Sequence, residues 1–323
     1  MRYAPAFAAR PRLCIKRGIR YCTGEFFEAP MSDSNPMADT AANPVQQLAA
    51  LRGELDRIDD ALHDLLMARA LVVERVATSG AKKVPLRPGR EADIIRRLLA
   101  RHAGKLPRRV LPRMWRELLA ATTTMQGSYV IAVCQTDVAL GFVQCAREHF
   151  GALTPMRVHR TPAQAIGEVS AGAAIAAVLP MPTEEETPGN AWWTALLHRD
   201  EPRIHVVARL PFWQPRSEGS PRVQALVVAA TVPDASADDR SLIGLELSAE
   251  MSRARLATAL TTAGFAPGTI ILRRPAGVPI AHALVDVAGF VADGDPRLAA
   301  LPDLLRPPVV LGAYAVPVEG DNS

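Results

Sequence analysis

The sequence has few of the residues that mark several common classes of protein. It holds only four cysteines, and none forms a Cys-x-x-Cys pair or stands at ligand spacing from a histidine. This pattern argues against a zinc site and does not require an oxidising compartment. The uncharged apolar runs, such as that near Ala225–Val232, are far shorter than the roughly 20 residues that cross a bilayer. We therefore predict a cytoplasmic protein that binds no metal and does not enter a membrane.

Neither sign of charge dominates the chain. The formal net charge is only +4, and between Met1 and Gly24 there are six basic residues and no acidic one. No basic stripe interleaved with aromatic residues follows, so the sequence does not predict a nucleic-acid surface. The small positive excess is a weak indication of anionic small-molecule ligands.

The first 42 residues have a composition of their own and are set apart from the fold prediction. They are basic at first and then rich in Ser, Asp, Asn, Pro and Ala, without the continuous apolar core of a secretory signal. A transit peptide fits this composition. The simpler interpretation, which we prefer, is a disordered leader or an early start codon, with Met31 or Met37 as the natural start.

Three helices are predicted after the leader. Asn43-Pro44 is a typical helix start, and apolar residues then recur at steps of three and four over about 35 residues, roughly 50 Å of helix. A helix that long in a small domain indicates pairing with another chain. A short helix is predicted from about Arg90 to Arg101. A third helix follows Pro107 and continues to Gln126, so the helical domain ends near Gly127.

The remainder alternates between strand and helix patterns. From Tyr129 to about Pro180 the order is strand, helix, strand, helix, strand, which predicts a small α/β unit with a parallel sheet. A polar, proline-rich passage covers Trp213–Arg222. The last segment reads as strands at 225–232, 242–247, 269–273 and 282–290, with helices at 253–264 and 297–305, and predicts helices on an antiparallel sheet.

Arg69 is the most informative single residue. It occupies an apolar-stripe position of the first helix between Leu65 and Val72, and a buried guanidinium needs an anionic partner. The simpler interpretation is a salt bridge to a core carboxylate or a side chain that snorkels to water at the edge of the stripe. The alternative is a substrate, because Arg52 projects from a similar side about five turns earlier and two arginines can clamp a dicarboxylate. Thr122 and Gln126 share one face of the third helix.

The helical segment closely resembles the all-helical chorismate mutase family over about Asn43–Gly127. The stretches that carry the resemblance are "NPVQQLAALRGELDRIDDALHDLLMARALVVERV", "PLRPGREADIIRRL" and "ELLAATTTMQ". The resemblance implies an intertwined homodimer that converts chorismate to prephenate in the biosynthesis of phenylalanine and tyrosine, without cofactor or metal. It implies that Arg69 and Arg52 bind substrate carboxylates, and it leaves open whether Arg52 comes from the partner chain.

Further site residues are implied by the same resemblance. Arg90 and Glu91 match the family's Arg-Glu pair, in which the glutamate holds the ring hydroxyl of the substrate. Thr122 falls at a small hydroxyl residue near a carboxylate, and Gln126 falls at a donor to the ether oxygen. The family's lysine donor to that oxygen falls on Gly80, and of the nearby Lys82 and Lys83 we assign the role to Lys83. The family's aspartate before the Arg-Glu pair is also missing.

The region after Gly127 weakly resembles prephenate dehydratase followed by an ACT regulatory domain. The dehydratase's Gly-Pro-x-Gly, Glu-Asn-Ser/Thr and Thr-Arg-Phe motifs are replaced by "CQTDVAL", "PTEEETPG" and "RVQ". We therefore expect no dehydratase activity. The resemblances imply a multidomain chain: a leader at 1–42, an all-α three-helix mutase domain at 43–127, a degenerate dehydratase-like α/β lobe at 128–215 and an α+β ACT-like domain at 216–323. The resemblance identifies no amino-acid effector.

Two other functions fit the same residues. Isochorismate-pyruvate lyase uses a cationic pocket on the same helical fold. A decayed, non-enzymatic mutase domain that binds a partner is the other alternative, and the missing lysine and aspartate favour it. Because every recognisable site residue lies within Asn43–Gly127, the sequence predicts that this fragment alone is active.

Overall fold

A computed structural model describes residues 43–79, 86–136, 140–184, 191–214, 216 and 218–320. The leader therefore lies outside the described residues. The chain divides into two compact units, Met1–Ala61 and Leu62–Ser323. The division falls within the first helix.

Helix α1 spans Pro44–Thr78 and begins with the Asn43 side chain accepting a hydrogen bond from the amide of Val45. The predicted length and start are confirmed. None of its residues is buried, and its whole apolar stripe is exposed, with Leu65 68% accessible. The stripe was expected to be a buried one, but among the described residues of this single chain nothing covers it.

Two shorter helices follow. Helix α2 spans Pro88–Arg101 and helix α3 spans Val110–Thr124, so the predicted third helix ends two residues early. The apolar face of α2, formed by Ala92, Ile95 and Leu99, packs into a cluster with Phe212 and Ala315 from much later in the chain. Helix α3 has one buried side. Met114 on its exposed side and Met125, just after the helix, are both about half exposed.

The predicted α/β unit is confirmed. Strands β1 (Ile131–Cys134), β2 (Met156–His159) and β3 (Ala176–Pro180) are joined by helices α4 (Gly141–Phe150) and α5 (Pro162–Ser170). Strand β1 lies between β2 and β3 and pairs in parallel with both. Such pairing requires a crossover connection, and α4 and α5 supply it. Thr161 caps α5 by accepting a hydrogen bond from the amide of Gln164.

The rest of the chain is mainly β structure. A 3₁₀ helix at Trp192–His198 leads into the strands β4 (His205–Leu210), β5 (Trp213–Gln214), β6 (Ala225–Ala229), β7 (Asp239–Ser248), β8 (Pro267–Arg273), β9 (Ile280–Ala288), β10 (Val309–Ala315) and β11 (Val318–Glu319). Helices α6 (Arg253–Thr262) and α7 (Pro296–Ala299) interrupt them. The predicted last helix is shorter than expected, because it ends at Ala299 instead of Leu305.

One nine-stranded mixed sheet joins the strands of the two predicted C-terminal domains. Its order is β2-β1-β3-β6-β4-β10-β7-β9-β8, with β6 antiparallel to both β3 and β4. The sequence did not predict β4, because "HVVARL" shows no two-residue alternation and has only three consecutive apolar residues, between His205 and Arg209. The boundary between 215 and 216 stays a prediction, since strands from both sides of it share this sheet.

The largest apolar clusters lie on the two faces of this sheet. Leu226 and Val228 point into one cluster, while Ala225 and Val227 point into another, as the alternation of a strand requires. All four are fully buried. No helix within the described ranges is long and apolar enough to cross a membrane.

Candidate functional site

Arg69 and Thr122 meet through a direct hydrogen bond. Arg69 Nη1 donates to Thr122 Oγ1 at 3.2 Å, and Thr122 Oγ1 in turn donates to the carbonyl oxygen of Leu118 at 2.8 Å. Thr122 is buried, and Arg69 is half-buried although most of α1 is exposed. No carboxylate of the described residues lies within ion-pair distance of Arg69. The core salt bridge considered for this residue is therefore absent from the described part of the chain.

Arg90 adds a second positive charge at this place. Partial burial lowers the pKa of the Arg69 guanidinium, and the nearby charge of Arg90 lowers that pKa further. Arg90 lies in the first turn of α2 with an exposed side chain, and within the described ranges no acidic group pairs with it. The charges of Arg69 and Arg90 therefore repel each other, and a bound anion would relieve that repulsion.

Gln126 lies one turn beyond Thr122. Its Nε2 donates to the backbone carbonyl of Thr122 at 3.3 Å, just past the end of α3. The structure therefore brings together four of the residues that the sequence predicted for a site: Arg69, Arg90, Thr122 and Gln126.

Glu91 takes part in a buried ion pair that the sequence did not predict. Its Oε2 accepts from Arg116 Nη1 at 2.8 Å, and both side chains are largely buried. Burial raises the pKa of the Glu91 carboxyl, and the charge of Arg116 opposes that shift. The Arg116 guanidinium also lies over the ring of Phe212, 4.9 Å from its centroid. Glu91 is thus held in one orientation from its Oε2 side.

The only indication of Arg116 in the sequence is its position. It is a cation on the face of α3 opposite the face with Met114 and Met125.

Asp234 could not be predicted as a site residue from the sequence around it. Its carboxylate accepts hydrogen bonds from the backbone amides of Gly89 at 3.0 Å and Arg90 at 3.1 Å. The N-cap position of α2 is Arg87, which has no side-chain cap of its own. A residue 144 positions further along the chain therefore caps this helix.

The site roles of two further residues stay predictions. Arg52 lies on α1 within the first unit, where its side chain is exposed. Lys83 lies outside the described residues, as do Gly80 and Lys82. Among the described residues, no three His, Cys, Asp or Glu side chains are grouped so that they could hold a metal ion.

Comparison with known proteins matches the helical segment to one family. Residues 51–127 match the family model for chorismate mutase type II. The chain is 30% identical over 178 residues to a bifunctional chorismate mutase/prephenate dehydratase of Pseudomonas aeruginosa, covering 49% of this chain and 47% of that relative. A protein of the same name from Aquifex aeolicus is 28% identical over 131 residues, which are 39% of this chain and 35% of that relative. The chain therefore spans about half the length, or less, of these curated relatives.

Solved structures are similar to the chain at a lower level. The structure described as "GqqA- a novel type of quorum quenching acylases" covers 59% of this chain and 96% of its own, at 18% identity and a TM-score of 0.45. A prephenate dehydratase from Streptococcus mutans covers 58% and 98%, at 15% identity and a TM-score of 0.42. TM-scores below 0.5 establish no function for this chain.

Proposed function

We propose that the protein is a chorismate mutase, which rearranges chorismate to prephenate in the biosynthesis of phenylalanine and tyrosine. The observation that carries the proposal is the cationic site of Arg69 and Arg90, which has no carboxylate partner among the described residues and lies beside the buried hydroxyl of Thr122. Chorismate is a dicarboxylate, and paired guanidinium groups match carboxylates in geometry and charge. The family match at residues 51–127 supports the same activity.

The proposed roles follow from the chemistry of the rearrangement. The reaction is a concerted pericyclic shift, so it needs no nucleophile, proton transfer, cofactor or metal, and the protein accelerates it by holding the substrate in its reactive conformation. Arg69 and Arg52 bind the carboxylates, and the Thr122 hydroxyl, which accepts a hydrogen bond from Arg69, lies near one of them. Gln126 and Lys83 donate to the ether oxygen, where negative charge develops as its bond to carbon breaks.

Arg90 and Glu91 are proposed to bind the ring hydroxyl side of the substrate. Glu91 Oε2 is already engaged by Arg116, so its other oxygen is the one available to accept a hydrogen bond from a hydroxyl. A carboxylate held from one side by a buried arginine loses little further freedom when it accepts that bond. Arg116 thereby fixes the direction in which Glu91 can accept.

A homodimer through the helical domain is part of the proposal. The apolar stripe of α1 and the Met114–Met125 side of α3 are exposed in one chain, and exposed apolar area of this extent marks an interaction surface. A second copy of α1 presents the same stripe, as an isologous interface requires. In this arrangement Arg52 reaches the site from the partner chain. We propose a cytoplasmic location for this dimer.

The proposal is tested by incubating the full chain with chorismate and identifying the product by chromatography against authentic standards. Prephenate formed faster than in buffer is the expected result. Isochorismate supplied in a parallel reaction distinguishes the lyase, which would release salicylate and pyruvate. Saturable binding of chorismate without any turnover would instead support the decayed, non-enzymatic domain. The argument for that alternative is Gly80, which stands where the family has its lysine donor.

We also propose that the chain has no prephenate dehydratase activity. That reaction expels water and carbon dioxide together and needs an acid placed near the leaving hydroxyl. The three dehydratase motifs are replaced in this sequence. Prephenate incubated with the protein at neutral pH should yield phenylpyruvate no faster than in buffer, and a faster rate would overturn this part of the proposal.

A further inference from the structure

The start of helix α2 is held by a segment from much later in the sequence. The Asp234 carboxylate accepts from the amides of Gly89 and Arg90, and it lies 3.5 Å from Arg87 Nε. A carboxylate at this position satisfies amides that have no partner inside the helix, and its charge is favourable against the positive end of the helix dipole. The two amides belong to the turn from which Arg90 and Glu91 project.

The segment around Asp234 contacts α2 at further points. Arg96 donates to Ser236 Oγ at 2.9 Å and to the carbonyl oxygens of Asp238 at 2.8 Å and Val316 at 2.7 Å. The amide of Ala237 donates to Asp93 Oδ1 at 3.0 Å. These contacts run along the helix from its first turn, so the segment is attached to α2 over more than one turn.

The same segment is anchored to the nine-stranded sheet. Asp239, the first residue of β7, accepts from the amide of Ser236 at 2.7 Å and from its hydroxyl at 2.6 Å. Gly89 shows how closely the segment packs, because a Cβ at that position would collide with the carbonyl oxygen of Asp234. The sheet, the segment and the first turn of α2 thus form one connected structure.

We propose that Asp234 is a positioning residue for the chorismate site, which it serves by fixing the backbone from which Arg90 and Glu91 project. This inference rests on the proposed function. Asp234 does not bind substrate itself, since its negative charge would repel a dianion. Loss of the cap lowers the fraction of molecules in which the helix start is ordered. The apparent affinity for substrate falls in proportion to that ordered fraction.

The test compares full-chain variants in steady-state kinetics with chorismate. In Asp234→Ala the KM should rise by at most about fivefold with kcat unchanged, since an N-cap typically shifts the order–disorder equilibrium of a helix start by about that factor and KM follows the ordered fraction. Asp234→Asn keeps one acceptor oxygen and should give an intermediate rise. If the charge of Asp234 acted only by repelling the substrate, both variants would lower KM, which would overturn the proposal.

Two further variants test whether the change in KM is specific to the start of α2. Asp295→Ala deletes an equivalent capping carboxylate at α7, where Asp295 accepts from the amide of Arg297 at 3.0 Å, and should leave KM unchanged. Gly89→Ala improves intrinsic helix propensity, but it forces the 234–238 segment away and should therefore raise KM like Asp234→Ala. A general loss of folded protein would lower the apparent kcat at constant KM, and that result in Asp234→Ala would overturn the positioning role.

Hydrogen exchange of the Gly89 and Arg90 amides separates this inference from the proposed function. Faster exchange in Asp234→Ala, with an active wild type and a raised KM, supports both. An inactive wild type overturns the proposed function, and the exchange rates then decide whether Asp234 holds the helix start. An active wild type with unchanged KM and unchanged exchange in Asp234→Ala retains the function and overturns the inference.

Discussion

Helix α1 and the nine-stranded sheet differ in how much of their apolar surface a single chain covers. Strand β6 is buried at all of its residues, whereas α1 has no buried residue along its length. The sheet therefore derives its stability from contacts within the chain. The helix has an equally regular apolar stripe that stays exposed among the described residues, and a long amphipathic helix in water is stabilised mainly by packing. The same kind of pattern thus forms a core in one region and, in our proposal, an interface in the other.

The largest effect should come from a charge in the α1 stripe. Ile58→Asp places a carboxylate where the second chain is proposed to pack, and burying an unpaired charge costs roughly 3–5 kcal/mol. We expect the dimer to dissociate and mutase turnover to disappear, while the thermal unfolding of the sheet is unchanged. Analytical ultracentrifugation and the chorismate assay measure the two effects.

The matched control is Gln46→Asp, which adds the same charge to α1 at an exposed position outside the stripe. A dimer that survives in Gln46→Asp but not in Ile58→Asp identifies the stripe as the interface. If Ile58→Asp remains dimeric and active, the exposed face of α1 is not where two chains meet.

Arg69 should give the next largest effect. Arg69→Ala removes a cation that has no carboxylate partner in the described chain, so turnover should fall about 10²–10³-fold, or about 2.7–4 kcal/mol, as for the loss of one charge-stabilising donor. Stability should hold or rise, because burial and the charge of Arg90 already disfavour the Arg69 cation. Turnover and the melting temperature are measured together.

Arg69→Lys and Arg75→Ala complete that comparison. The lysine keeps the charge but loses the two-pronged donor geometry, so it should restore only part of the activity. Arg75 is exposed near the end of α1, and its removal should change neither turnover nor the melting temperature. Marked destabilisation of Arg69→Ala, with activity that follows only the folded fraction, would make Arg69 a structural residue.

A matched pair of conservative substitutions gives a smaller but sharper contrast. Ile243 is fully buried in β7 and Ile58 is 48% exposed on α1. Ile243→Val should cost about 0.5–1.5 kcal/mol of unfolding free energy at any protein concentration. Ile58→Val should cost a similar amount only in the dimer, so its effect should vanish on dilution below the dissociation constant. Denaturant titrations at two concentrations test this, and concentration-independent results for both variants would argue against the interface.

The smallest effect concerns His149 on α4. Burial, followed by the charge of Arg116, holds the pKa of His149 well below its usual range, and its Nδ1 has no hydrogen-bond partner among the described residues. The unfolded chain therefore binds a proton that the folded chain does not, and stability present above the unfolded pKa is lost as pH falls. One such group contributes at most about 1.4 kcal/mol per pH unit. His149→Leu should lose less stability than the wild type between pH 7 and 5, roughly the range below an ordinary histidine pKa.

Much of the local structure could be predicted because it depends on neighbours in sequence. The three-to-four-residue repeat from Leu48 to Val76 determines α1, and Asn43-Pro44 determines where it starts. The strand–helix alternation after Tyr129 predicted β1 to β3 and their parallel pairing. Strand β4 was missed because its apolar run is only three residues long, between His205 and Arg209, which is shorter than a run that indicates a buried strand. The resemblance likewise identified the four residues that cluster in the structure, Arg69, Arg90, Thr122 and Gln126. Their roles in the reaction stay predictions.

The sequence predicted that Asn43–Gly127 would be active alone, and the contacts of α2 argue for a different expectation. The helix packs on Phe212 and Ala315 and receives its cap from Asp234, so the fragment lacks part of what orders Arg90 and Glu91. No periodicity within residues 43–127 contains that information.

The sequence by itself determined where the helices and most strands lie and which cations lack a local acidic neighbour. Only the tertiary structure decided which distant groups meet: Glu91 with Arg116, Asp234 with the start of α2, and β6 between β3 and β4. The physical reason is that helix and strand patterns arise from interactions a few residues apart. A buried ion pair or a remote cap depends instead on how whole elements pack, which no single segment encodes.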